Sequence, residues 1–146
     1  MPQLLVVHHT PSPNLQALLE AVREGVALVE GVDLVVRPAL SAGAADLLEA
    51  DGVLLGTPAN IGYMSGALKH FFDTVYYPCL DATVGLSYGV YVHGNDDTAG
   101  ALASIQRITG ALRWKQVAAP LSLTGAPGPD DLEAVRELAA TVAVGL

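Results

Sequence analysis

Short, almost wholly apolar runs alternate with longer stretches of helical periodicity along the whole chain. Apolar runs without inside–outside alternation are typical of strands that are buried on both faces of a sheet. Apolar residues three and four positions apart mark one face of an amphipathic helix. The pattern therefore predicts strands and helices in alternation, which indicates βαβ units and a parallel sheet.

Five segments carry the strand pattern. They are residues 3–8, 32–38, 51–58, 86–94 and 115–123. Pro120 lies inside the last of them, and a proline cannot donate to the hydrogen-bond ladder of a sheet. We therefore expect an edge position or a bulge at that point.

Five helical patterns alternate with these strands. One covers residues 44–50, and the other four have apolar faces at Leu15, Leu18, Leu19, Val22 and Val26; at Leu68, Phe71, Phe72 and Val75; at Leu102, Ile105, Ile108 and Leu112; and at Leu132, Val135, Leu138 and Val142. Gly31 is expected to stop the first helix, Ser65 to cap the third and Pro129 to open the fifth.

No repeat or low-complexity linker divides these elements, so the sequence predicts one domain over residues 1–146. We predict an α/β fold with a doubly wound, five-stranded parallel sheet and helices on both faces. Five strands favour the order 2-1-3-4-5 over a six-stranded Rossmann sheet. Because ligands bind at the carboxyl ends of such strands, the loops after strands one, three and four form the candidate site.

Composition narrows the class of protein further. Hydrophobic residues make up 51% of the chain and charged residues 15%, which disfavours disorder. No apolar run approaches the roughly 20 residues of a membrane-spanning helix. The N-terminus, MPQLLVVHH, carries neither a basic region nor a small-residue cleavage site, so we expect no signal peptide and a cytoplasmic, soluble protein.

The charge balance and the cysteine count restrict partners and chemistry. A net charge of −8 disfavours nucleic acid, because an acidic surface repels phosphate backbones. The single cysteine, Cys79, excludes an internal disulfide and a CxxC redox pair. Any redox chemistry must therefore come from a cofactor.

The first candidate loop reads HTPSPN and leads into a helix. A helix N-terminus attracts anions through its free N–H groups and its dipole, and Thr10, Ser12 and Asn14 add polar side chains. Pro11 and Pro13 each remove one N–H donor. The residues alone leave two interpretations, an ordinary helix cap and a phosphate-binding loop. The glycine-rich fingerprints of Rossmann dinucleotide sites and of P-loops are missing.

The second loop and the helix after it read GTPANIGYMSGALKHFFD, residues 56–73. This segment resembles the tryptophan-repressor-binding-protein-like NAD(P)H:quinone oxidoreductases and the NADPH-dependent FMN reductases of the flavodoxin superfamily. The matching positions are Pro58, Gly62, Met64, Ser65, Gly66, Phe71 or Phe72, and Asp73. The resemblance implies a flavodoxin-like fold, an FMN cofactor and NAD(P)H as reductant.

A loop that holds a flavin must lie flat, offer backbone groups to the ring edge and supply apolar contact. The resemblance implies that this is the role of Pro58, Ala59, Asn60, Ile61, Gly62 and Tyr63. Pro58 stiffens the segment and Gly62 allows close approach of the backbone. Tyr63 is either a ring-stacking residue or an ordinary surface aromatic.

The third loop, HGNDDTAG, is similar to the stretch of the family that lies beside the pyrimidine edge of the flavin. The resemblance implies cofactor contacts from His93, Gly94, Asn95, Asp96 and Asp97. The N–H groups of Gly94, Asn95 and Asp96 are expected to reach a flavin carbonyl. The two carboxylates are alternatively caps of the following helix. If they point inward, they disfavour negative charge on the ring.

The resemblance also assigns the first loop to the FMN phosphate. The family reads roughly hydroxyl-x-Ser-Gly-Asn-Thr there, and Thr10, Ser12 and Asn14 fall on three of these positions. Pro13 stands in place of the glycine and Leu15 in place of the threonine. These two replacements remove one backbone donor and one hydroxyl, so FMN is either held by fewer groups or lost.

The four histidines do not form a metal-binding pattern. Neighbouring strand residues point to opposite faces, so His8 and His9 do not share an ion, and no HExxH motif or Cys/His cluster exists. We expect His70 at the helix surface. A hydrogen-bond or proton-donor role beside the flavin stays open for His9 and His93.

The sequence therefore predicts an FMN-binding, NAD(P)H-dependent oxidoreductase of quinones or similar small acceptors. The flavin carries the chemistry, so no side chain is strictly catalytic. One alternative is a flavodoxin-type electron carrier with a redox protein partner, which the small size and the charge of −8 favour. Another is a flavodoxin-like domain without FMN. A homo-oligomer is possible, although the insertion that helps assemble the family's tetramers is missing.

Overall fold

The computed structural model describes residues 1–146 as seven strands and five helices. The strands are Gln3–His8 (β1), Asp33–Pro38 (β2), Gly52–Asn60 (β3), Tyr63–Met64 (β4), Ser87–His93 (β5), Lys115–Gln116 (β6) and Leu121–Leu123 (β7). The helices are Pro13–Ala27 (α1), Ala44–Glu49 (α2), Gly66–Cys79 (α3), Thr98–Ala111 (α4) and Pro129–Val144 (α5). None of these helices is long and apolar enough to cross a membrane.

The sheet has the order β2-β1-β3-β5-β6, with β7 also beside β5 and the short β4 beside β3. Every pair is parallel except the β3–β4 pair. Since β5 is the fourth predicted strand and β6 with β7 make up the fifth, this is the predicted order 2-1-3-4-5. The predicted fold class, a doubly wound α/β sheet with helices on both faces, is confirmed.

The fifth predicted strand is interrupted, as Pro120 indicated. Lys115 and Gln116 pair with the start of β5, and the segment Leu121–Leu123 pairs with its end. Residues 117–120 leave the ladder between these two short pieces. Because this strand lies at the edge, the break leaves the central strands β1, β3 and β5 intact.

Both faces of the sheet are covered by packed apolar side chains, which explains the near-continuous apolar strand runs. One cluster lies under α2, α3 and α4 and includes Phe71, Phe72 and Trp114. The other lies under α1 and α5 and includes Leu18 and Tyr91. The two clusters fix the helices, so the loops at the carboxyl ends of the strands are held in a defined arrangement.

The helix boundaries agree in part with the sequence pattern. Ser65 caps α3 by accepting a hydrogen bond from the N–H of Leu68 at 3.2 Å, and Pro129 opens α5. The first helix ends at Ala27, and Gly31 lies in the turn after it with a φ of 79°. The helix therefore ends before Gly31, which allows the left-handed turn that follows instead of stopping the helix itself.

The ring of Tyr91 on β5 covers Gly56 on the neighbouring strand β3. Its side chain is fully buried, and a Cβ atom added to Gly56 on the paired strand would overlap the phenol ring. The Tyr91 hydroxyl has no hydrogen-bond partner, and burial raises the pKa of the phenol. Gly56 is therefore required where β3 passes under this ring, just before the second candidate loop.

Candidate functional site

The three candidate loops leave the carboxyl ends of β1, β3 and β5, which are neighbours in the sheet. The N–H of His9 donates to the carbonyl of Gly56 at 2.9 Å, which ties the start of the first loop to β3. His9 Nδ1 is buried and has no partner. The predicted switch point thus brings the three loops to one edge of the molecule.

In the first loop, Ser12 is the N-cap of α1, and its hydroxyl accepts from the N–H of Leu15 at 3.2 Å. Pro13 is the first residue of the helix, where its missing N–H costs nothing within the helix itself. Leu15 is buried and points into the core. The cap interpretation is therefore correct for Ser12. Leu15, predicted as a cofactor residue, has its N–H engaged by this cap and its side chain buried, so neither is free for a ligand.

Several donors of this loop have no acceptor within the chain. The N–H groups of Thr10, Ser12 and Asn14 make no hydrogen bond, and Pro11 and Pro13 have no N–H to offer. The first turn of α1 carries no acidic side chain. The loop is thus an uncompensated donor site at the positive end of a 15-residue helix, which favours an anion.

His8 extends the polar groups of the first loop. Its Nδ1 lies 2.8 Å from the hydroxyl oxygen of Thr10, and the ring is half-buried at the end of β1. Burial lowers the pKa of His8, and the positive charges of Arg23 and His9 lower it further. His8 is therefore neutral at pH 7 in the free protein.

The second loop is a β-hairpin and not the irregular loop that the sequence predicted. Strand β3 continues through Asn60, and β4 pairs back onto it at Ala59 and Asn60. Ile61 and Gly62 form the two-residue turn with φ values of 52° and 70°, as a type I′ hairpin requires. Pro58, expected to stiffen a loop, is buried within β3.

Two hydroxyls that the sequence did not single out hold this hairpin. Ser104 on α4 accepts from the N–H of Met64 at 3.1 Å, and the buried Thr57 accepts from the N–H of Ser65 at 3.1 Å. In the sequence, the only indications of this role are that Thr57 directly precedes Pro58 and that Ser104 lies on the inner side of α4. Both leave Ile61, at the tip, fully exposed.

In the third loop, between β5 and α4, some groups form hydrogen bonds within the chain and others are free. The N–H of Gly94 donates to the carbonyl of Leu123 at 3.0 Å, so it is not free for a ligand as the sequence suggested. Asp97 adopts a left-handed conformation and caps α4 through the N–H of Gly100 at 3.0 Å. The N–H groups of Asn95 and Asp96 have no acceptor within the chain.

The hairpin and the third loop enclose a cavity of about 490 Å³. Its lining residues are Ala59, Ile61, Gly62, Asn95, Asp96 and Asp97. All six belong to the set predicted from the sequence. Pro58, Asn60, Tyr63 and Gly94 adjoin the cavity in the chain without lining it. The first loop does not line it, and follows β1, the strand next to β3 in the sheet.

The other histidines and aromatic residues lie outside this cavity. His93 is buried, and its Nε2 forms a hydrogen bond with the carbonyl oxygen of Gly125 at 2.8 Å, so this nitrogen serves the fold. His70 is exposed on α3. Tyr63 and Tyr76 line a separate groove of about 290 Å³ between α3 and α4. No three potential metal-ligating side chains come together.

The chain is similar in sequence to known proteins over part of its length. No family model matches the chain. A flavodoxin from Aquifex aeolicus is 36% identical over 75 residues, which are 51% of this chain and 40% of that protein. An NAD(P)H dehydrogenase (quinone) from Acidithiobacillus ferrooxidans is 29% identical over a match covering 50% of this chain and 46% of that protein. Each match spans less than half of the relative.

Solved structures match over nearly the whole chain. A flavodoxin from the domain Archaea has a TM-score of 0.82 at 19% identity, covering 97% of this chain and 96% of its own. A WrbA-like flavodoxin from Agrobacterium tumefaciens has a TM-score of 0.80 at 20% identity, covering 98% and 96%. The chain has the flavodoxin fold, and the resemblance to the flavodoxin superfamily is confirmed.

Proposed function

We propose that this chain, which has the flavodoxin fold, binds FMN at the carboxyl ends of β1, β3 and β5 and passes electrons from NAD(P)H to a quinone or a similar small acceptor. A flavodoxin and an NAD(P)H dehydrogenase (quinone) among its relatives support the two parts of this proposal. The observation that carries it is structural. Free donors at the start of α1 and a cavity formed by two other loops lie at the same edge of the sheet, where β1, β3 and β5 end.

The donor chemistry of the first loop fits a phosphate group. The free N–H groups of Thr10, Ser12 and Asn14 and the hydroxyls of Thr10 and Ser12 are the groups that would hold it. The α1 dipole adds roughly half a positive charge at this point. A phosphate can therefore bind without lysine or arginine, which matches the lack of either residue in the loop.

The adjoining cavity fits the flavin ring in its chemistry. The N–H groups of Asn95 and Asp96 can donate to a ring carbonyl, and the side chain of Ile61 offers an apolar surface at the rim. A β-branched residue at positive φ is strained, and such strain is retained at binding sites more often than elsewhere. We infer that the Ile61–Gly62 turn is kept for contact with the ring.

Bound FMN would supply the hydride and electron transfer, which no side chain of this protein can perform. The residues of the site bind and orient the cofactor. The carboxylates of Asp96 and Asp97 line the cavity, so they disfavour added negative charge inside it. The hairpin, fixed by Thr57 and Ser104, keeps the rim of the cavity in place.

A second candidate function, a flavodoxin-type electron carrier, is favoured by charge. The protein has a net charge of −8, and the exposed Asp96 and Asp97 stand at the cavity itself. Such a surface suits a basic redox protein, which would dock over the cofactor by electrostatic attraction. The third alternative, a fold without FMN, is motivated by Pro13 and Leu15, which stand where the resembled family has a glycine and a threonine.

One experiment separates these functions. The purified protein is titrated with FMN and followed by its visible spectrum, and the complex is then mixed anaerobically with NADPH or NADH, with and without 1,4-benzoquinone. Oxidation of the nicotinamide that depends on FMN and quinone supports the oxidoreductase. FMN binding without oxidation indicates the carrier, and absence of FMN binding refutes both.

Replacing Asp96 by asparagine is expected to raise the reduction potential of bound FMN. Asp96 makes no hydrogen bond in the chain, so Asp96→Asn removes charge without removing a cap. One carboxylate at the edge of the ring disfavours reduction by about 1 kcal/mol, or about 20 mV for a two-electron couple. Spectroelectrochemical titration of wild type and variant measures the shift.

Glu30→Gln is the matched control for this charge change. Glu30 is exposed in the turn after α1, at the edge of the sheet opposite to the cavity. Glu30→Gln removes the same unit of negative charge as Asp96→Asn. It is expected to change the reduction potential of bound FMN by only a few millivolts, because salt screens distant surface charges. Equal shifts in both variants, or none in Asp96→Asn, would contradict the proposed placement of Asp96.

A further inference from the structure

We propose that His8 positions the hydroxyl of Thr10 for the FMN phosphate and takes up a proton when that phosphate binds. In this way His8 replaces part of the donor capacity that the loop prolines remove. The inference rests on the proposed FMN function and adds to it a residue that the family pattern does not assign. It also predicts how the affinity of the site depends on pH.

The geometry decides the direction of the hydrogen bond. His8 Nδ1 and Thr10 Oγ1 are 2.8 Å apart, and the backbone N–H of Thr10 is also free. A phosphate oxygen only accepts hydrogen bonds, so the single proton of the Thr10 hydroxyl must point to it. The hydroxyl oxygen then accepts from His8 Nδ1–H, which either the neutral Nδ1–H tautomer or the protonated ring supplies, and the negative charge of the phosphate favours the protonated ring.

The surroundings of His8 in the free protein oppose its positive charge. Burial is the main cause, followed by Arg23 on α1 and His9 in the loop, and together they lower the pKa of His8. No carboxylate forms an ion pair with the ring. A bound phosphate would therefore be the first negative charge beside His8.

The neighbouring strands add no compensating group. His8 pairs with Pro38 on β2 and with Gly56 on β3, and neither carries a charge. Arg37, next to Pro38, is paired with Asp46 at 3.4 Å. A phosphate dianion in the loop is therefore expected to raise the pKa of His8 by charge attraction and through the Thr10 hydrogen bond.

The sign of the pH dependence follows from this difference. The pKa of His8 is lower in the free protein than in the complex, so FMN binding takes up a proton at pH values between the two. FMN affinity then increases as the pH falls through this interval. The phosphate group itself titrates near pH 6, which acts in the opposite direction, so the effect is expected above about pH 6.5.

The test compares FMN with riboflavin, which lacks the phosphate, by fluorescence titration between about pH 6.5 and pH 8.5. For the wild type, FMN affinity is expected to rise by up to about tenfold towards the lower pH, since one pKa unit corresponds to a tenfold change. Riboflavin affinity is expected to stay constant. His8→Asn keeps a donor near the Nδ1 position and loses the pH dependence, whereas His8→Leu also weakens FMN binding by about tenfold.

His70→Asn is the control, because His70 is exposed on α3 and makes no side-chain hydrogen bond. Its FMN profile is expected to equal that of the wild type. NMR titration of the His8 ring provides a second readout, with a higher pKa in the FMN complex. FMN binding with the same pH profile in wild type and His8→Asn overturns this inference alone. Absence of FMN binding at every pH overturns the proposed function and the inference with it.

Discussion

Replacing Pro13 by glycine is expected to tighten FMN binding by about tenfold or more. Pro13 is the first residue of α1, directly after the N-cap Ser12, and glycine there restores an N–H at the positive end of the helix. A hydrogen bond to a charged group contributes about 1.5–3 kcal/mol, which is a factor of about 10 to 150 in affinity. Titration of flavin fluorescence with wild type and Pro13→Gly measures the change.

The control for this prediction is Pro129→Gly. Pro129 is also the first residue of a long helix, α5, but it neither belongs to the candidate loops nor lines the cavity. Both variants are expected to lose about 0.4–1 kcal/mol of stability, because glycine makes the unfolded chain more flexible. Only Pro13→Gly is expected to bind FMN more tightly. Both variants are expected to bind riboflavin with the affinity of the wild type. Unchanged FMN affinity in Pro13→Gly would show that this backbone position does not face the phosphate.

Replacing Gly56 by alanine is expected to lower the free energy of unfolding by about 3 kcal/mol. The added Cβ atom would overlap the fully buried ring of Tyr91, which belongs to the apolar cluster packed under α1 and α5. Overpacking in a core typically costs about 1–3 kcal/mol, and contact with a rigid ring puts this position at the upper end. Urea denaturation followed by circular dichroism measures the loss.

Two variants test the cause of this loss. Gly110→Ala lies on the exposed side of α4 with open space around it, and it is expected to stabilise the protein by about 0.5–1 kcal/mol. Tyr91→Leu, combined with Gly56→Ala, is expected to recover part of the stability, since the smaller side chain leaves space for the new methyl group. If Gly56→Ala were as stable as the wild type, the Tyr91 ring would not require glycine at this position.

The strand order was predictable because it depends on patterns that extend over many residues. The five apolar runs, with Pro120 marking the interruption of the last, were sufficient to predict the doubly wound sheet and its order. The switch-point rule then located the three loops. These features follow from burial on both sheet faces, which the amino-acid pattern expresses directly.

The local geometry of the site was not predictable in the same way. Ile61 takes a left-handed conformation that β-branched residues avoid, so nothing in the sequence indicated a type I′ hairpin there. The N–H of Gly94 is engaged by Leu123, which is distant in sequence. Likewise, the contact between Gly56 and Tyr91 and the support from Ser104 arise only from tertiary packing.

The most direct test of the central claim is a titration of the purified wild-type protein with FMN and with riboflavin at pH 7, followed by quenching of flavin fluorescence. We expect FMN to bind at one site per chain and more tightly than riboflavin. The reason is that the free N–H groups of Thr10, Ser12 and Asn14 can donate hydrogen bonds to the phosphate, which riboflavin lacks. Equal affinity for the two flavins, or no binding of either, would contradict the account.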